Sequence, residues 1–67
     1  MSKHELVSRL DCREMDLRML VNDLLVVVQT TPGDEASRAL RHVADALGKA
    51  LTHVGYAASL IREMGDW

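Results

Sequence analysis

The strongest constraint in this chain is Thr30-Thr31-Pro32-Gly33-Asp34, the only clear break, close to its middle. Proline lacks a backbone N–H and disfavours a helical residue before it. Thr31 is therefore expected to stop the first helix or to start the second; it suits an N-cap, with Pro32 at the first helical position. Asp34 then stands three residues after the cap, close to a capping box. Asp34 and Glu35 add negative charge at the positive end of the helix dipole. A connection this short makes its two flanking helices antiparallel neighbours.

The sequence thus predicts an all-α, single-domain chain over residues 1–67. Helix 1 is expected at about 3–29, a turn at 30–33, and helix 2 at about 32–64. Sixty-seven residues rarely bury enough apolar surface alone; such scaffolds need disulfides, a metal or a partner. One cysteine excludes an intramolecular disulfide, and no metal-ligand cluster is apparent. The expected remedy is dimerisation of the two-helix antiparallel hairpin into a four-helix bundle.

Helix 1 opens with Ser2 as N-cap and Glu5 three residues on. Leu6, Leu10, Leu17, Leu20, Leu24 and Val27 keep a three-four rhythm that Arg13 interrupts, and Val7, Val21 and Val28 widen the stripe. Arg13 and Glu14 fall where the core stripe should continue. They are expected to pair across a dimer, mark a polar gap that fixes register, or stay solvated at a frayed end. A second stripe of Cys12, Met19 and Val26, with Met15 and Leu25 nearby, makes the later half apolar nearly all round. It reads either as dimer core or as a docking surface for another protein. Leu24–Val28 taken alone also fits a short buried strand, but nothing else in the chain reads as its partner.

Helix 2 is more regular. Ala36, Leu40, Val43, Leu47, Ala50, Val54, Ala57, Ile61 and Met64 follow spacings of four and three. Leu40, Leu47, Val54 and Ile61 form a large column. Ala36, Ala50 and Ala57, with Val43, form a smaller one, a pairing that lets layers interdigitate. The expected core and dimer residues are Leu10, Leu17, Leu20, Leu24 and Val27 of helix 1. From helix 2 they are Leu40, Val43, Leu47, Ala50, Val54, Ala57 and Ile61. Ala39, Ala44, Ala46 and Ala58 flank that seam. Gly48 and Gly55 each cost about 1 kcal/mol relative to Ala inside a helix. Either another backbone approaches there, along a groove of Ala44, Gly48, Thr52, Gly55 and Ser59, or the glycines are simply tolerated. Gly65 is expected to end the helix as its C′ residue, with Asp66 and Trp67 beyond.

Net charge is −2 with both signs interspersed, which argues against a strongly basic nucleic-acid binder. No signal-peptide pattern or bilayer-length apolar run is read, and a lone cysteine suits a cytoplasmic location. No phosphate-binding glycine loop or nucleophile–base set occurs, so no cofactor and no enzymatic role are expected. Cys12 has no His at matching spacing and reads as packed rather than reactive. Helices of ~40 Å at 1.5 Å per residue do not suit a helix-turn-helix reader.

The plan resembles two groups of small proteins. The layering of Ala50 with Leu47 and Ala57 with Val54 looks like Rop-type RNA-binding helical hairpins. The size and hairpin form resemble small phage-encoded dimeric regulators of the quorum-sensing anti-activator type. The first resemblance implies an RNA-binding dimer, the second a dimer that blocks a host regulatory protein such as a transcription factor.

The first functional expectation is a non-enzymatic regulator or inhibitor that binds itself and another protein, not a membrane. Its expected partner contacts are Met15, Met19, Tyr56, Arg62 and Trp67, because Tyr, Trp and Arg commonly anchor interfaces. The alternative is a nucleic-acid-binding dimer using Arg38, Arg41, His42, Lys49 and His53, with Tyr56 stacking on a base. A purely structural dimerisation module is the third reading.

Overall fold

The computed structural model describes residues 1–65 and 67. Two helices account for it: α1, Lys3–Thr30, and α2, Asp34–Glu63. They lie side by side in a rod of 51 × 14 × 13 Å. Leu24–Val28 is helical, so its strand-like composition is overridden within α1. Ser2 caps α1 as its spacing predicts, its side chain accepting from the Glu5 N–H at 3.1 Å.

Of the two uses expected of Thr31, the turn takes the first. Thr31 does not cap α2; it closes α1, in extended conformation, and its hydroxyl donates to the Val27 carbonyl at 2.6 Å. Thr30 donates to the carbonyls of Val26 and Val27, both at 3.2 Å. The two threonines thus satisfy carbonyls that the end of a helix leaves without partners. Pro32 holds Thr31 extended, and Gly33 makes the reversal at φ 96°. Gly33 is the N-cap of α2, and its carbonyl accepts from the Ser37 N–H at 3.1 Å. The second helix therefore begins at Asp34, not Pro32, with Gly33 as an N-cap that has no side-chain capping bond.

At the far end α2 stops at Glu63, with Met64 as an extended C-cap. Gly65 follows that cap as the C′ residue expected there, without a positive φ. The Met64 N–H donates to the Ile61 carbonyl at 3.1 Å, and from α1 the Lys3 ammonium donates to the Met64 carbonyl at 2.6 Å. Asp66 lies outside the described residues.

The seam between the helices runs one residue to the side of the expected line. In α1 the inward columns are Leu10, Leu17, Leu24 and Val7, Glu14, Val21, Val28. In α2 they are Leu40, Leu47, Val54, Ile61 and Ser37, Ala44, Leu51, Ala58; all are buried or half-buried. Val28, Ala44 and Ala58 are the buried core, at 5%, 5% and 0% exposure. The large column of α2 is where the sequence predicts it. Its inward companion is Ala44, Leu51 and Ala58, not Val43, Ala50 and Ala57. Small residues explain the choice. Ala44, Gly48, Gly55 and Ala58 all lie to one side of the Leu40 column, and there α2 buries Ala44 and Ala58.

No side chain crowds Gly33, since nothing lies within 4 Å of a Cβ built on it. Gly33→Ala is therefore expected to act through backbone strain alone, costing on the order of 1–3 kcal/mol. A lower urea midpoint with unchanged slope, at fixed protein concentration, checks this. An unchanged midpoint would mean the turn is not held at this φ.

Candidate interaction surface

Every residue proposed from sequence for the core or dimer falls on one side of the hairpin. Leu10, Leu17, Leu24, Leu40, Leu47, Val54 and Ile61 line its floor, half-buried in the seam. Leu20, Val27 and Val43 stand beside them and are open to solvent at 46%, 44% and 47% exposure. Ala50 and Ala57 complete the α2 edge, half-buried. Leu6 and Val7, the latter in the seam, extend the apolar surface toward the start of α1. Helical periodicity explains the continuity. The Leu20 column of α1 and the Ala50 column of α2 flank the same pair of central columns, and in antiparallel helices they emerge on the same face.

Arg13 interrupts this face. Its side chain is exposed and pairs with Asp16 at 3.4 Å. Glu14 does the opposite, occupying the inward column between Val7 and Val21. It is only partly solvated, and its carboxylate accepts from Arg18 at 3.1 Å. Of the two charges the sequence marks, one therefore lies in the hairpin seam and the other on the open face.

The opposite side of the hairpin carries the glycines. A Cβ at Gly55 would sit 3.6 Å from the Glu14 carboxylate, and one at Gly48 would meet nothing within 4 Å. Within the chain, then, the glycines do not receive another backbone. Gly55 faces a glutamate side chain, and Gly48 opens a shallow groove with Val21, Leu25, Ala44, Asp45, Lys49 and Thr52. Arg62 bridges to Asp11 of α1 along this side. Both partners are about half exposed, so the pair contributes at most about 1 kcal/mol.

The expected partner contacts do not form one patch. Met15 borders a small hollow with Asp11, Glu14 and Arg18. Met19 and Val26 point away from the seam on α1, with Cys12 exposed in the same column rather than packed. Tyr56 points away from the seam on α2 and is exposed. Trp67 is exposed, and its carbonyl accepts from the Lys3 N–H at 3.4 Å. Arg62 is engaged with Asp11. The cationic set Arg38, Arg41, His42, Lys49 and His53 shares one outward arc of α2. That arc also holds Asp34, Glu35 and Asp45, so it presents mixed charge. Sequence reasoning missed the inward Ser37 and, in the same column, the inward Leu51. Its signal was the Ala44–Leu51–Ala58 spacing of seven, hidden by an equally apolar column on the other side of Leu47.

Among the described residues there is no group of three or more His, Cys, Asp or Glu able to hold a metal ion. Among them, too, no helix is long and apolar enough to cross a membrane. No family model matches the chain, and no curated protein or solved structure matches it. None of these comparisons shows the expected likeness to Rop-type or phage-encoded hairpins.

Because Gly48 has open space around its would-be Cβ, Gly48→Ala is expected to raise hairpin stability by about 1 kcal/mol through helix propensity. Thermal unfolding at matched concentration reads this. A fall in stability would mean that another chain approaches the Gly48 backbone in solution.

Proposed function

We propose that this chain is a non-enzymatic protein–protein interaction module, a homodimeric four-helix bundle that regulates another protein by occupying its surface. The observation that carries the reading is the continuous apolar face from Leu20 and Val27 to Val43, left open beside a core of three buried residues. The chain exposes 5114 Å², whereas a compact monomer of 7.5 kDa is expected to expose about 4,200 Å². The surplus of roughly 900 Å² is close to the ~800 Å² per partner that a stable interface covers.

A regulator also needs a surface left over after it has dimerised. The Met15, Met19 and Val26 side of α1 points away from both α2 and the apolar face, and it suits an adaptable partner contact. Binding to a host regulatory protein such as a transcription factor fits this arrangement. The nucleic-acid reading would use the arc of Arg38, Arg41, His42, Lys49 and His53, where three carboxylates oppose phosphate contact.

Light scattering over a concentration range is expected to give twice the chain mass. Leu20→Asp with Val43→Asp is expected to weaken dimerisation by more than tenfold, since burying each side chain contributes about 1.5–3 kcal/mol. Met15→Asp with Met19→Asp should leave the dimer intact and abolish capture of its partner protein. A parent chain that stays monomeric at all concentrations would overturn the dimeric reading. Retention of every captured partner by the methionine variant would overturn the assigned docking surface.

A further inference from the structure

We propose that the second copy lies on the Leu20–Val43 face with the two-fold axis running along the rod, so that α1 of each chain packs against α2 of the other. This rests on the dimeric reading above and adds its geometry. Two antiparallel hairpins stacked face to face have a second symmetric solution. An axis perpendicular to the rod would set α1 against α1 and α2 against α2. Three features of the face bear on the choice, of which side-chain size and charge separate the two.

The first is side-chain size. The α1 edge of the face is large, with Leu6, Leu20 and Val27; the α2 edge is mostly small, with Ala36, Ala50 and Ala57. Large against small fills the space evenly. A perpendicular axis would instead oppose large to large on one edge and alanine to alanine on the other. One pair of helices would be forced apart and the other left with a void, and interiors tolerate neither.

The second is level along the rod. Within the hairpin Glu14 is level with Gly55, and Leu25 with Asp45. Rotation about an axis along the rod leaves every residue at its own height, so the two faces overlap over their full length. Leu20 then comes level with Ala50 of the second copy, and Val27 with its Val43.

The third is charge. Asp16 borders the face on α1 and His53 borders it on α2, and the same rotation brings each level with the other across both rims. A perpendicular axis centred on the rod, near the level of Leu17, brings Asp16 toward Asp16 of the second copy, a like-charge approach. Arg13, which interrupts the face, comes to lie over Ala57 of the second copy. Its aliphatic stem can cover the small residue while its guanidinium stays at the rim beside Asp16.

The test uses cross-linking of the full chain in a Cys12→Ser background. Leu20→Cys and Ala50→Cys variants are prepared separately, confirmed as dimers by light scattering, and treated with a short bismaleimide alone and after mixing. The expected result is a covalent dimer in the mixture at least tenfold above that formed by either variant alone. A covalent dimer from Leu20→Cys alone would overturn the axis along the rod in favour of the perpendicular one. Absence of cross-linking in the mixture, with dimer mass retained, would overturn it outright. Asp16→Cys and His53→Cys, at the rim, form a second pair judged by the same outcomes should the interior cysteines prevent dimerisation. A monomeric parent chain would instead remove the dimeric reading itself, so the two failures are distinct.

Discussion

The rest of the structure depends on how little two helices can bury against each other. A helix pair has one seam, and here that seam is built from Ala44, Ala58 and Val28 at its tightest points, with leucines only half covered around them. Hydrophobic burial contributes on the order of 25 cal/mol per Å², and ordering each residue costs roughly 1–2 kcal/mol. A single seam lined by alanine gives a weak surplus. The leucines of the central columns are therefore shared residues: one side of each meets the neighbouring helix and the other faces the open surface. Fold and interaction surface are built from the same side chains.

That sharing also explains the distribution of small residues. Ala44, Gly48, Gly55 and Ala58 stand on the side where α1 and α2 approach, and Ala36, Ala50 and Ala57 stand on the other. One set sets the spacing inside the hairpin; the other presents a shallow edge that suits larger side chains. The two charges that break the apolar pattern of α1 divide in the same manner. Glu14 is held in the seam by Arg18 and given room by Gly55, whereas Arg13 and Asp16 sit at the border of the open face. A charge within a seam that must be paired restricts sliding of one helix along the other, because a slip by one turn would set Glu14 against a larger neighbour.

Much of this was legible in the sequence wherever a local rule applied. The Ser2 cap, the break at Pro32-Gly33, the antiparallel order and the large column from Leu40 to Ile61 follow from backbone chemistry and helical spacing. The start of α2 was misplaced because Thr31 has two uses of similar strength. Its hydroxyl can cap the following helix or close the preceding one, and only the folded turn selects the second. Gly65 stands at the C′ position that the sequence predicts, and Lys3 adds a contact to the last turn from the other helix. The expected partner residues were scattered by the same geometry. Met19 and Tyr56 point outward from different helices, a relation that spacing within one helix does not contain.

What the sequence by itself determined is the pair of helices, their antiparallel order and the surplus of apolar surface over what one seam can cover. These depend on contacts between residues a few positions apart and on composition. Which side of the Leu40 column closes within the chain was decided only by the tertiary structure. Val43, Ala50 and Ala57 on one side and Ala44, Leu51 and Ala58 on the other are equally apolar, and the two choices differ by one residue's rotation about the helix axis. The burial of Ala44 and Ala58, together with the seat of Glu14 opposite Gly55, marks the second as the inward side. By that selection it leaves Val43 open to solvent and Ala50 and Ala57 half-buried.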